Sequence, residues 1–294
     1  MIWKGNREEM SESNNSKYHI HISSKTNKFR LNLKEVWKYK DLIVLLTKRQ
    51  FALTYKQTIL GPIWILLTPL ISSFIYAFVF GGIAGMGTDG VPHLLFYLTS
   101  NAIWTYFSSC VLSNANVFTA NSNIFGKVYF PRLTVPVSNM LVSIIQFGIQ
   151  MLLVLGFLLY YLTNGQVSPD WSLWWLIPFA VIHLGILGLG FGIVISSLTT
   201  KYRDLTILVN FGMQLWMYAT PIVYPLSQLG MGNLRSIILL NPVTAPVELI
   251  RFAVLGVGTI SLKALLTSWM ITIIVAIFGI LIFNKIERTF MDTV

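Results

Sequence analysis

The chain alternates between long uncharged apolar stretches and short polar segments. Six stretches contain no Asp, Glu, Lys or Arg: residues 57–88, 94–126, 133–169, 171–200, 205–234 and 264–284. A membrane-spanning helix needs about 20 mostly apolar residues, because the hydrocarbon layer is about 30 Å thick. A charge in the middle of that layer is costly, so spanning helices exclude it. The pattern therefore predicts an all-α polytopic membrane protein.

The ends of these stretches predict six transmembrane helices, near residues 62–84, 94–115, 136–161, 173–198, 206–225 and 264–284. Gly61-Pro62 opens the first helix, where a proline in the first turn loses no hydrogen bond. Pro69 lies inside the same helix and is expected to kink it. Two glycine pairs, Gly81/Gly85 and Gly188/Gly192, have the GxxxG spacing that lets two helices approach closely, although such pairs are frequent by chance and do not identify a particular contact.

The chain before the first span divides into two parts. Residues 1–33 are rich in Ser, Asn and Lys and have little to bury, so we expect a disordered hydrophilic extension. Residues 34–56 are predicted to form a cytoplasmic amphipathic helix in the headgroup layer, followed by the six-span domain, residues 57–294. One face of this helix carries an apolar stripe and the other is polar; the stripe is Val36, Tyr39, Ile43 and Leu46, and the polar face holds Lys34, Lys38, Asp41 and Lys48. The helix is either a platform for a cytoplasmic partner or a simple membrane anchor.

The link between the fifth and sixth spans, residues 226–263, is apolar, unlike an ordinary loop. It contains two runs that are too short to span a bilayer, residues 236–247 and 252–262. Glu248 and Arg251 lie between these runs at i, i+3 spacing, and Asn241 precedes a proline that breaks the first run. The segment predicts two re-entrant helices in the outer leaflet, with Asn241, Glu248 and Arg251 at an outer gate.

The distribution of charge predicts the orientation. The chain carries 21 Lys and Arg and 11 Asp and Glu, for a net charge of +10. With the N-terminus inside, the inner segments hold 18 of the 21 basic residues and the outer segments hold 3. Basic residues favour the cytoplasmic side, so we expect both termini in the cytoplasm. The positive charge does not indicate a nucleic-acid partner, because the aromatic residues lie in the spans rather than among the basic residues.

Few groups in the sequence could carry out chemistry. It contains no GxxxxGK[ST], HExxH, CxxC or GxSxG motif, and its single cysteine is Cys110. His183 stands alone in the fourth span, where a histidine is more often packed or hydrogen-bonded than a ligand. These patterns predict no catalytic residue, metal site or cofactor on this chain. They disfavour a membrane-embedded glycosyltransferase, which needs acidic residues, and an ion-coupled carrier, for which only His183 could serve.

Aromatic residues make up 14% of the chain and are plentiful in the spans. Most are expected to face lipid or to form interfacial belts. A sugar ring has an apolar C–H face that stacks on an aromatic ring, so an aromatic lining would suit a glycan. The candidates for such a path are Trp64, Phe74, Tyr76, Phe78, Trp104, Tyr106, Trp216 and Tyr224.

Five short motifs occur in order along the chain. They are residues 55–64 (Tyr-Lys-Gln-Thr-Ile-Leu-Gly-Pro-Ile-Trp) with Pro69, Tyr129-Phe130-Pro131-Arg132 with Pro136, Lys201-Tyr202-Arg203-Asp204, Pro221-Ile222-Val223-Tyr224, and Asn241-Pro242. In order and spacing, residues 34–294 resemble the permease subunits of bacterial ABC exporters of lipid-linked polysaccharides. Such permeases export O-antigen, teichoic acid or capsule chains.

The resemblance implies a homodimer that encloses a channel in the bacterial cytoplasmic membrane, in contact with membrane lipids. Two copies of a separate cytoplasmic ABC ATPase would bind ATP and Mg²⁺, and this chain would not be an enzyme. The residues expected to couple the ATPase to the channel are Lys48, Arg49, Tyr55, Lys56, Lys127, Arg132, Lys201, Arg203 and Asp204. The expected substrate is a lipid-linked polysaccharide, and an ABC permease for a drug or a lipid is the main alternative.

Overall fold

The computed structural model describes residues 33–56, 58–125, 130–202, 204–230 and 232–291, and these contain helices and no β-strand. The helices are α1 Leu33–Lys38, α2 Lys40–Tyr55, α3 Trp64–Tyr76, α4 His93–Ala115, α5 Val117–Ala120, α6 Ser122–Phe125, α7 Thr134–Thr163, α8 Ile177–Thr199, α9 Leu205–Tyr218, α10 Asn233–Leu240, α11 Thr244–Leu255 and α12 Leu262–Met291. The all-α prediction is confirmed. The predicted disordered extension lies outside the described residues, except for Leu33.

Four helical segments in the described part are long and apolar enough to cross a membrane: Gly61–Ile83, Thr134–Thr163, Trp171–Thr199 and Leu262–Ile286. Each begins and ends within two residues of a predicted span. The first consists of a 3₁₀ turn, α3 and a π-helical segment, Ala77–Ile83, and a 3₁₀ segment, Trp171–Leu176, leads into α8. If the bent pair α10 and α11 is counted as one broken span, the number rises to five.

The predicted second span corresponds in position to helix α4, which lies at the centre of the helix bundle. It contacts α3, α7, α8, α9 and α11. Its polar side chains Thr99, Ser100 and Asn101 are buried among these neighbours. These polar side chains make α4 less apolar than the four segments above, so its sequence is less typical of a membrane span. The count of six spans therefore stays a prediction.

Helix α9 is shorter than the predicted fifth span, 206–225. It ends at Tyr218, and its 14 residues reach about 21 Å at 1.5 Å per residue. Pro221 has no backbone N–H to donate, so it cannot continue the helix. The prediction that this helix extends to residue 225 is wrong.

Two short helices follow α9, as predicted, but their bounds differ from the predicted runs. Helix α10 ends at Leu240 and α11 begins at Thr244, and the two are bent by 94° at this break. Glu248 and Arg251 therefore lie inside α11, where both are buried. Their predicted position between two short helices is wrong, because the chain breaks at Asn241-Pro242 instead.

Small residues allow α4 and α8 to pack closely. A Cβ atom added to Gly188 would lie 2.6 Å from Cβ of Cys110, and one added to Gly192 would lie 2.6 Å from Cβ of Asn114. These separations are shorter than any ordinary carbon–carbon contact. The close approach that this spacing allows is present at this pair. At the other pair, an added Cβ on Gly81 would overlap the His93 ring, but Gly85 lies beyond the π-helical segment with φ +64° and meets nothing, so that pair forms no helix contact.

Helices α1 and α2 pack against one end of the bundle. Val36 and Ile43 from the predicted stripe are buried in an apolar cluster with Phe118 and Phe283. Tyr39, also in the stripe, interrupts the helix and is exposed. The stripe therefore packs partly on the protein itself, and whether the rest lies in the headgroup layer stays a prediction.

Candidate functional site

The amide of Asn241 connects the end of α9 to the break between α10 and α11. Its Oδ1 accepts hydrogen bonds from Nε1 of Trp216 and from the backbone N–H of Val243, each at 3.1 Å. Its Nδ2 donates to the carbonyl oxygen of Ala219 at 3.1 Å and to Oγ1 of Thr220 at 2.9 Å. An amide side chain has two donor hydrogens and an acceptor oxygen with two lone pairs, so all of its hydrogen-bonding capacity is used here.

Glu248 and Arg251 form a buried ion pair one turn apart on α11. Nη2 of Arg251 contacts Oε1 of Glu248, and Nη1 donates to the carbonyl oxygen of Pro221 at 2.9 Å. The guanidinium carbon lies 4.7 Å from the centre of the Phe96 ring on α4. Oε2 of Glu248 accepts from the backbone N–H of Thr259 at 2.8 Å. The pair therefore connects α4, the chain after α9, α11 and the link to α12.

His183 is buried where α8 meets α12. Its ring stacks on Trp269 with centroids 4.2 Å apart, and Nε2 lies 2.8 Å from Oγ1 of Thr272 and 3.1 Å from Oγ of Ser268. The Ser268 hydroxyl also donates to the carbonyl oxygen of Pro242, 2.5 Å away, at the break before α11. His183 is thus a packed and hydrogen-bonded residue, as the sequence predicts.

The residues predicted to contact an ATPase differ in exposure. Five of them are exposed: Lys48, Arg49, Lys56, Lys201 and Asp204. Arg132 is buried, with its guanidinium carbon 5.4 Å from the centre of the Phe125 ring. Lys127 and Arg203 lie outside the described residues.

Tyr55, another predicted coupling residue, connects α2 to α7. Its hydroxyl oxygen accepts a hydrogen bond from Nε2 of Gln146 at 2.8 Å. Burial raises the pKa of the Tyr55 phenol above its ordinary value, and the hydrogen bond from Gln146 partly opposes this. The phenol therefore stays neutral at physiological pH and serves as a fixed contact rather than a charge.

The aromatic residues predicted to line a path fall into two groups. Trp64, Phe74 and Phe78 on the first span are exposed. Trp104 and Tyr106 are buried in α4, and the Tyr106 hydroxyl donates to the carbonyl oxygen of Val181 at 2.9 Å.

The remaining aromatic candidates gather around α9. The Tyr76 hydroxyl lies 3.7 Å from the Met217 sulfur. Trp216 packs edge-on against Phe107, with ring centroids 5.3 Å apart. The Tyr224 hydroxyl donates to the carbonyl oxygen of Tyr218 at 3.1 Å.

Sequence reasoning missed the partners that complete the buried network. Phe96, Thr259 and Ser100, whose Oγ lies 3.5 Å from Nη1 of Arg251, were not singled out as site residues, because their role depends on contacts with residues distant in the chain. Pro221 was noted only as part of a motif, although a proline inside a predicted span signals a helix end.

Comparison with known proteins identifies the family. Residues 41–255 match the model of the ABC-2 type transporter family. Two proteins from Klebsiella pneumoniae, each named O-antigen export system permease protein RfbA, are 30% identical over 256 residues and 29% identical over 252 residues; each match covers 86% of this chain and 94% of the relative. A protein of the same name from Myxococcus xanthus is 27% identical over 217 residues, covering 72% of this chain and 80% of the relative.

The family match extends from α2 to α11. It contains the exposed charges of α2 and of the 201–204 link, the aromatic residues around α9, and the buried contacts of Asn241 and Arg251. The exposed charges predicted to contact a partner and the residues of the predicted outer gate thus lie within the matched part of the chain. The chain belongs to the ABC-2 type transporter family.

Proposed function

We propose that this chain is the membrane subunit of an ATP-driven transporter that exports a lipid-linked polysaccharide across the bacterial cytoplasmic membrane. The observation that carries the proposal is its similarity to proteins named O-antigen export permeases over 86% of this chain and 94% of the relative. A match over nearly the full length of both proteins involves the whole membrane domain rather than one shared motif.

The proposed assembly is a homodimer with six spans per subunit and both termini in the cytoplasm. Two helical faces favour contact with a second copy of the chain or with lipid, because their large apolar side chains are exposed and no described residue covers them. These side chains are Ile71, Phe74 and Ile75 on α3, Phe78 on the π-helical segment that follows it, and Ile207, Leu208, Phe211 and Leu215 on α9. A channel between two such faces would take its lining from the aromatic residues of the first and fifth segments.

The energy for export would come from two copies of a cytoplasmic ABC ATPase that bind ATP and Mg²⁺. The exposed charges Lys48, Arg49 and Lys56 on and just after α2, with Lys201 and Asp204 in the link before α9, are suited to contact such a partner. Charged groups at the rim of a protein–protein interface steer the association of the two proteins and fix their relative orientation. Closure of the ATPases on ATP would displace these two segments and open a path from the inner leaflet.

On this proposal the lipid-linked glycan enters from the inner leaflet and passes through the dimer to an outer gate formed by α10 and α11. The sharp bend between these helices supports a re-entrant arrangement, since neither helix is long enough to cross a bilayer. Irregular backbone at membrane depth is tolerated where protein buries it or where it lines a cavity. The break at Asn241 satisfies this condition, because the side chain and its neighbours accept and donate hydrogen bonds there.

Deletion of the gene in its host tests the proposal. We expect the lipid-linked glycan to accumulate on the cytoplasmic side, the surface polysaccharide to disappear, and the wild-type gene to restore export. A tagged chain purified from the host should bring with it a separate ATPase. A deletion strain with normal surface polysaccharide and an altered content of a drug or lipid would favour the alternative ABC permease.

A further inference from the structure

The end of α9 is fixed by side chains from the helices that follow it. Between Trp216 and Pro221, four groups are bound by two residues: Asn241 binds the Trp216 indole, the Ala219 carbonyl and the Thr220 hydroxyl, and Arg251 binds the Pro221 carbonyl. A helix leaves its last carbonyl groups without partners inside the helix. Here the chain after α9 obtains partners from α11 and from the break before it. We call this set of contacts the α9 junction.

We propose that the α9 junction makes α9, α10 and α11 move as one body, so that displacement of the charged start of α9 is transmitted directly to the outer helices. The proposal rests on the proposed function, because an ATPase is needed to displace the start of α9. Asn241 is the central positioning residue of the junction, and Arg251 supports it from the next helix.

The packing of α9 is consistent with a helix that can move relative to the bundle while its end stays fixed to α10 and α11. On the described part of α9, Met213 and Met217 are buried, whereas Ile207, Leu208, Phe211 and Leu215 are exposed. A helix with one narrow buried edge can shift against the bundle with little loss of packing. Its end, in contrast, is fixed by directional hydrogen bonds that fit only one arrangement of the two segments.

The start of α9 carries the groups that a partner would displace. Asp204 is exposed and directly precedes the helix, and Lys201 is exposed in the same link. The Thr206 hydroxyl donates to Oδ1 of Asn116 at 3.0 Å, so a bond to the α4–α5 link is present at this end. Among the described residues, this side-chain bond contrasts with the four hydrogen bonds by which Asn241 and Arg251 contact residues 216–221 at the other end.

Asn210 provides a matched control for Asn241. It is the same residue type on the same helix, it is exposed, and its Nδ2 donates to the Thr206 carbonyl oxygen within α9. Asn210→Ala therefore removes a local hydrogen bond, whereas Asn241→Ala removes the hydrogen bonds that join two segments.

The first test measures distances between spin labels in the reconstituted complex with its ATPase. Labels are placed at Leu215 and Ile237 within the proposed body, and at Leu215 and Leu152 on α7 as a reference pair; all three sites are exposed, and the native Cys110 is buried. Labelled subunits are diluted with unlabelled ones so that distances within one subunit are measured. We expect ATP trapping to change the reference distance and to leave the Leu215–Ile237 distance unchanged.

Asn241→Ala should broaden the Leu215–Ile237 distribution and make it depend on nucleotide, and Asn210→Ala should not. A Leu215–Ile237 distance that changes with nucleotide in the wild type as much as the reference distance would overturn the proposal. A reference distance that stays constant during ATP turnover would overturn it as well, since α9 would then not move.

The second test separates coupling from folding by measuring glycan exported per ATP hydrolysed. Asn241→Ala should lower this ratio about fivefold or more, at the lower end of typical coupling energies between sites, while the complex keeps its ATPase activity. Asn210→Ala should retain the wild-type ratio. An unchanged ratio in Asn241→Ala would contradict the proposal. If the wild-type complex exports no glycan but the label distances behave as described, the proposed function fails and the one-body inference stands.

Discussion

Truncation of either member of the Glu248–Arg251 pair should strongly destabilise the protein. Both side chains are buried on α11, and each is the counter-charge of the other. Breaking a buried ion pair by removal of one partner costs about 3–5 kcal/mol, because the remaining charge is left without compensation. We therefore expect Glu248→Ala and Arg251→Ala each to lower the free energy of unfolding by this amount.

The structure also predicts which substitution costs more. Arg251→Ala removes the hydrogen bond to the Pro221 carbonyl and the contact with the Phe96 ring, in addition to the ion pair. A hydrogen bond from a charged group contributes about 1.5–3 kcal/mol, and a contact between a cation and an aromatic face about 0.5–2 kcal/mol. Arg251→Ala should therefore lie at the upper end of the range.

The double substitution should cost less than the sum of the two single ones, by about 2–3 kcal/mol, since no buried charge remains unpaired. Unfolding free energies can be measured by titration with SDS in mixed micelles. Lys263→Ala is the control, because Lys263 is exposed at the start of α12, and such changes stay within about 0.5 kcal/mol. Additive effects, or single substitutions no more harmful than the control, would refute the assignment of a buried pair.

Three further predictions concern packing and energy coupling. Gly192→Ala should destabilise the protein by about 1–3 kcal/mol, because the new Cβ would lie 2.6 Å from Asn114 Cβ. The control Gly156→Ala on α7 meets open space and should be neutral or stabilising by up to about 1 kcal/mol. Equal effects of the two substitutions in thermal unfolding would contradict the packing of α4 on α8. Arg203→Glu should lower export while the chain still inserts into the membrane, as measured by surface glycan and membrane fractionation, and normal export would count against a coupling role. The purified chain alone should hydrolyse no ATP in a phosphate-release assay, and activity that persists after all partner subunits have been removed would refute a separate ATPase.

The extent of the apolar helices was predictable from sequence, because charge is excluded from them and their ends carry local signals. The first span begins at Gly61, directly before Pro62. Gly188 and Gly192 lie one turn apart on one helix face, so a close approach at this face was expected, but the spacing did not identify α4 as the partner.

The end of α9 and the site around it were not predictable in the same way. Residues 219–225 are uncharged and apolar, so they resemble the rest of a span in any window of sequence. Pro221 ends the helix, and Asn241 and Arg251, about twenty to thirty residues later, bind the carbonyl oxygens of Ala219 and Pro221. The sequence marked Glu248 and Arg251 as a pair, but burial of the pair depends on Phe96 and on the bend between α10 and α11.

The most direct test of the central claim is transport by the reconstituted complex. Vesicles carrying the chain and its partner ATPase, with the ATPase facing outwards, would receive lipid-linked polysaccharide in the outer leaflet. We predict that ATP moves the glycan into the lumen, where added glycosidase cannot cleave it, and that vesicles lacking either subunit leave it fully cleavable. ATP hydrolysis with no protected glycan, or protection that does not require ATP, would contradict the account.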